Sequence, residues 1–172
     1  AWSLDVVAGH AVVFSTASDL AKFAYIFINN GKYDKTKILS PDTVELLINN
    51  QIPQFPGNDH GLGWELGQGW YMDALSESTS FGHTGYTGTS IVVSPNNKTI
   101  AILLTNRVHP TRNTVSTNST RRLFARNVAD AIPVSLKGKK TPWFAGYGDN
   151  LQRTLEAEVD LKTEETMRFD TW

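Results

Sequence analysis

The densest run of chemically useful side chains is Phe81-Gly82-His83-Thr84-Gly85-Tyr86-Thr87-Gly88-Thr89-Ser90. A titratable imidazole stands beside a hydroxyl, and glycines interrupt a stretch that otherwise reads as strand. Glycine weakens a strand and leaves room for something to approach its backbone. A ligand lying along such an edge can accept hydrogen bonds from backbone N–H groups, the device an oxyanion hole uses. His83 would add a titratable donor and Thr84 a hydroxyl. The alternative is a β-bulge glycine cluster with an incidental histidine, and these residues alone leave both readings open.

Other candidates carry less. His10, His60, His83 and His109 show no metal-ligand spacing such as His-x-His or His-Glu-x-x-His, so no metal and no cofactor is expected. His60 and His109 read as solvated loop residues and His10 as a packed turn residue. Trp64, Trp70 and Tyr71 fit core and hairpin packing better than a substrate cleft. Cysteine is absent, which excludes a disulfide framework, a thiolate metal site and a cysteine nucleophile. The 16 Lys and Arg against 17 Asp and Glu are mixed along the chain, with no basic stripe for a nucleic-acid backbone. No apolar run approaches the ~20 residues of a membrane span.

The elements that must position the run can be read from periodicity. Thr16-Ala17-Ser18-Asp19 has capping-box spacing, and Leu20, Phe23, Ala24, Phe27 and Ile28 follow on one face. Asn29, Asn30 and Gly31 end that helix. Ser40-Pro41 opens a second, with Val44, Leu46, Leu47 and Ile48 as its apolar positions. From Gly61 the period becomes two. Strands are expected over 62–66, 70–75, 80–86, 88–94 and 98–106, the last two joined by the turn Pro95-Asn96-Asn97. A third helix is expected over 116–131, with Leu123, Phe124, Val128 and Ile132 inward. The fold class is therefore α+β, an antiparallel meander with flanking helices.

His83-Thr84-Gly85, then Tyr86-Thr87-Gly88, Ile91-Val92-Val93-Ser94-Pro95 and 100–106, resembles the third motif and last strands of serine β-lactamases and penicillin-binding proteins. His-Thr-Gly replaces the more usual Lys-Thr-Gly, as in class C-like members. Residues 8–23 are similar to the segment that follows that family's second motif, with Val12 where a glycine is expected. The resemblance implies an acyl-enzyme mechanism. It makes His83 a catalytic cleft residue and assigns Thr84 and Gly85 to substrate binding. The Tyr86 backbone N–H becomes half of the oxyanion hole. Strand alternation would put His83 and Thr84 on opposite faces, so a local irregularity is expected there. The family's Ser-x-x-Lys and Tyr-x-Asn motifs are missing, and Ser94-Pro95-Asn96 and Ser116-Thr117-Asn118 match Ser-x-Asn in letters only.

The expected organisation is the C-terminal part of a β-lactamase/transpeptidase-like domain over 1–132, a linker over 133–142, and the start of an accessory β-sandwich over 143–172. The last segment resembles the sandwich of immune inhibitor A-type secreted proteases through Trp143-Phe144-Ala145-Gly146-Tyr147-Gly148 and the alternating run 155–161. The resemblance implies a fragment of a serine hydrolase, inactive by itself, from a bacterial cell-surface or extracellular protein. Its substrate would be a D-amino-acid peptide, β-lactam or ester, and it would pair with a missing N-terminal half or with a copy of itself. The competing reading is a non-catalytic cell-wall peptide-binding or scaffold protein.

Overall fold

The computed structural model describes residues 13–133, together with the isolated positions 154, 156, 158, 160 and 166. The expected linker and β-sandwich lie outside the described residues apart from those few positions and Pro133, and so does His10.

Helix α1 spans Ala17–Ile28, and the Thr16 hydroxyl accepts from the Asp19 N–H at 3.2 Å, as the capping-box spacing requires. Gly31, at φ +85°, turns the chain out of the helix, and a Cβ there would strike the Leu39 backbone. A short hairpin follows, β1 (Lys32–Tyr33) and β2 (Thr36–Lys37). Helix α2 spans Pro41–Ile48, with the Ser40 hydroxyl accepting from the Thr43 N–H at 3.1 Å and proline in its first turn.

The rest of the described chain builds the main sheet and its second cover. Strand β3 is Glu65–Leu66, followed by α3 (Gly69–Met72) and a 3-10 turn over Asp73–Leu75. Then come β4 (Phe81–Thr84), β5 (Ser90–Ser94), β6 (Thr99–Leu103) and helix α4 (Asn118–Asp130). The four strands pair antiparallel in chain order, β3-β4-β5-β6, which is the expected meander.

Alternation along β5 sorts side chains onto two covers. Val93 packs with Ala24, Phe27, Val44, Trp64 and Phe81 on the α1–α2 side, with Ile91 and Ile100 against them. Val92 packs with Tyr71, Met72, Leu75, Ala101, Ala125 and Ala129 on the α3–α4 side. Sheet β3–β6 is thus the middle of three layers, which is how both of its faces leave water.

Two expectations need correction. The strand over 70–75 is helical: Tyr71, Met72, Asp73, Ala74 and Leu75 are buried in succession, whereas a strand would send alternate residues outward. Leu123 does not face inward. Arg121, Ala125 and Ala129 are the buried stripe of α4, with Phe124, Val128 and Ile132 beside it, and Leu123 is 58% exposed.

Candidate functional site

Strand β4 delivers His83 and Thr84 to the end of the sheet. Its register against β5 is continuous, Phe81↔Val93 to Thr84↔Ser90, so no bulge interrupts it. The expected irregularity inside the strand is therefore absent. The strand simply stops at Thr84, and a tight turn begins, closed by Gly85 N–H to Thr89 O at 2.8 Å and Gly88 N–H to Gly85 O at 2.9 Å.

On its other edge β4 meets β3 only as far as Glu65↔Gly82. Gly63, at φ +85°, has already bent the preceding chain away. Backbone groups in an antiparallel ladder face alternate neighbours. Gly85 N–H faces β5, so the groups of His83 face β5 too, and those of Thr84 face the opposite edge. Among the described residues no strand pairs with that edge beyond Gly82.

His83 and Thr84 share one recess of about 450 Å3 with Ser15, Leu20, Gly85 and Thr87, although they leave the strand on opposite faces. The recess brings them together because it lies where the strand ends. His83 is exposed, and its Nδ1 lies 2.8 Å from the Thr84 carbonyl. A carbonyl only accepts, so Nδ1 is the donor in this contact and Nε2 is the ring nitrogen left for another partner. Tyr86 is not among the residues lining the recess. Its ring is exposed, with the Arg112 guanidinium 5.9 Å from the centroid.

The three glycines of the run are explained by internal packing. A Cβ at Gly82 would collide with the Ile91 carbonyl and lie 3.0 Å from the Tyr71 hydroxyl; at Gly85 it would strike the Thr89 side chain. Gly88, at φ +96°, packs against Thr105 and Thr117. Their smallness serves the turn first, whatever approaches the edge from outside.

Beneath the turn lies a residue that periodicity alone did not single out. Arg121 is 6% exposed, and its guanidinium donates to Gly85 O at 2.6 Å and to Gly88 O and Thr89 O, each at 3.2 Å. It also donates to Asn118 Oδ1 at 2.7 Å. Burial, together with the Arg107 cation, pulls the Arg121 guanidinium below arginine's ordinary value. Tyr71 is buried nearby, and burial and the Glu65 carboxylate push its phenol up. A second buried charge, Asp73, is held by Arg126 at 2.8 and 2.9 Å and by Arg122 at 3.1 Å.

The remaining candidates fall elsewhere. His60 contacts the Asn58 carbonyl at 2.7 Å in a loop, and His109 sits in a turn fastened by Asn106. Trp64 belongs to the aromatic core, with ring centroids 5.3 Å from Phe27 and 5.1 Å from Phe81. Ser94 donates to Glu77 in the β5–β6 hairpin, and Ser116 accepts from the Asn118 N–H ahead of α4, so neither Ser-x-Asn triplet lines the recess. Among the described residues no group of three or more His, Cys, Asp or Glu could hold a metal ion, and no helix is long and apolar enough to cross a membrane.

Against known proteins, a family model described as Beta-lactamase matches residues 1–126. A protein named "Putative D-alanyl-D-alanine carboxypeptidase" from Escherichia coli O157:H7 is 30% identical over 112 residues, which is 63% of this chain and 25% of that protein. An N-acetylmuramyl-L-alanine amidase of Bacillus subtilis (strain 168) matches at the same identity and the same shares. The chain thus spans about a quarter of the length of these relatives. Among solved structures, a beta-lactamase from Mycobacterium bovis superposes with TM-score 0.51 at 25% identity, over 66% of this chain and 43% of that one.

Proposed function

The chain belongs to the beta-lactamase family, and we propose that it forms the third-motif wall of a serine-hydrolase cleft. The observation that carries this reading is the unpaired edge of β4, where His83, Thr84 and the turn at Gly85 meet a recess. Such an edge offers a substrate backbone the hydrogen bonds of an added strand.

In this reading a serine outside the chain's own motifs attacks a carbonyl carbon. The C=O electron pair moves to oxygen, and the tetrahedral oxyanion is stabilised by the Tyr86 N–H. Collapse of that intermediate expels the leaving group, which takes the proton given up by the attacking serine hydroxyl. Water then hydrolyses the acyl-enzyme and returns a proton to the serine oxygen. His83 Nε2 and the Thr84 hydroxyl contact substrate polar groups across the cleft. The substrate class is a D-amino-acid peptide, β-lactam or ester, acted on outside the cytoplasm of a bacterium. The names of the carboxypeptidase and amidase relatives support a wall-peptide substrate. Residues 143–172 form part of an accessory domain joined through the linker 133–142.

A second reading keeps the fold and drops the chemistry: a wall-peptide binder or scaffold. Neither reading takes a nucleophile from these 172 residues, which contain no Ser-x-x-Lys and no Tyr-x-Asn. Turnover of a D-alanyl-D-alanine peptide, a chromogenic β-lactam and an activated ester by the full-length gene product separates the two. Hydrolysis that falls in Thr84→Val supports the enzyme; saturable peptide binding without turnover supports the binder.

A further inference from the structure

We propose that Arg121 is a positioning residue of this site: its guanidinium pins the Gly85 carbonyl and so aims the Tyr86 N–H at the open edge of β4. The proposal rests on the reading of that N–H as an oxyanion donor.

The Gly85 carbonyl and the Tyr86 N–H belong to one peptide unit. Among the described residues the only cis peptide bond is His109-Pro110, so this unit is trans and planar, and its C=O and N–H point opposite ways. Fixing the carbonyl therefore fixes the N–H. Gly85 O receives two donors, Arg121 Nη2 at 2.6 Å and Gly88 N–H at 2.9 Å. Both lie on the β5 and α4 side of the turn. The Tyr86 N–H is directed the other way, towards the edge that the Thr84 backbone faces. No backbone acceptor among the described residues takes it.

The guanidinium is itself held. Arg121 Nε reaches the carbonyls of Gly88 and Thr89, which close the same turn, and Nη1 donates to Asn118 Oδ1 at 2.7 Å, one helical turn earlier. One planar cation thus ties three carbonyls of the turn in a fork geometry that an ammonium cannot reproduce. A buried cation is costly unless it is hydrogen-bonded, and here Nε and Nη2 donate to the turn that presents the Tyr86 N–H while Nη1 donates to Asn118. A flexible glycine turn would otherwise lose part of its electrostatic advantage to reorganisation, whereas a preorganised donor does not.

The test uses the full-length gene product with Arg121→Lys, Arg121→Ala and Asn118→Ala, all assayed below their melting temperatures. Arg121→Lys is expected to lower kcat by about 10², the loss seen when one oxyanion donor is removed. KM should stay within about a factor of two, because the interaction is made only in the transition state. Ethylguanidinium should restore part of the kcat of Arg121→Ala. Asn118→Ala should lower kcat in the same sense but less, and it keeps the question open to measurement if the Arg121 variants do not fold. The Tyr86 N–H order parameter, measured by NMR, should fall from about 0.85 to below about 0.6 in Arg121→Lys or Asn118→Ala. An unchanged order parameter, or unchanged kcat in folded variants of an active enzyme, overturns the proposal. A wild type without turnover whose variants still loosen Tyr86 leaves the anchoring standing and overturns the hydrolase reading instead.

Discussion

Among the described residues the His83 ring hydrogen-bonds only the carbonyl of the next residue, at an exposed position, so removing the ring leaves no buried partner stranded. His83→Ala in the full-length gene product is expected to lower kcat/KM by about 10², the scale of a lost acid–base group, with an unchanged melting temperature. Unchanged kinetics would make the histidine incidental. Asp73 behaves in the opposite way. Burial pushes its carboxyl up, but hydrogen bonds from Arg126, Arg122 and the Ala74 N–H outweigh burial, and the net direction is down. A depressed carboxyl contributes stability that is present above its ordinary value and is lost as pH falls through the depressed one. Denaturant titrations should therefore show stability falling below roughly pH 4. Asp73→Asn should cost about 1.5 kcal/mol at neutral pH, because both arginines stay partly in water, and should flatten the acid limb. The motif His83-Thr84-Gly85 was legible because its residue types are local and adjacent. Arg121 and Asp73 were not, because their partners lie 36 and 53 residues away in the chain. Nothing in a local window tells a buried arginine from a solvated one.

At the scale of elements, caps and alternation carried most of the reading. Thr16 and Ser40 start their helices where expected because a side-chain oxygen ahead of an apolar period satisfies the first orphan N–H groups. Strands β4, β5 and β6 appear within the expected windows, but shorter, since pairing partners and not residue types decide where a strand stops. The segment 70–75 misled because a short, mostly apolar run, broken here only by Asp73, looks the same whether it enters a buried strand or a helical turn. The hairpin β1–β2 gave no signal, as its four residues are exposed and polar or aromatic. Gly82→Ala tests the packing of β4 on β5. The added methyl meets the Ile91 carbonyl and the buried Tyr71 hydroxyl, and overpacking of this kind costs about 1–3 kcal/mol. The midpoint of denaturant unfolding should fall accordingly without a change in slope.

For the whole molecule, the sheet ends at β6, which pairs only with β5 among the described residues. Leu104, just past its end, is exposed, as are Val13 and Phe14 beside the recess. An unpaired apolar edge recruits another strand. The 172-residue chain alone is expected to self-associate, or to take up a complementary N-terminal segment, and sedimentation should show a mass above that of one copy. The proposed division over 133–142 is tested by hydrogen exchange, in which 155–161 should open independently of 100–105. The most direct test is peptide-mapped acylation: the full-length gene product and the isolated chain are incubated with a β-lactam and an activated ester, and the adduct is located by mass spectrometry. A stoichiometric adduct on a serine outside these 172 residues, with none on the isolated chain, is the expected result. An adduct on a residue within this chain would contradict it.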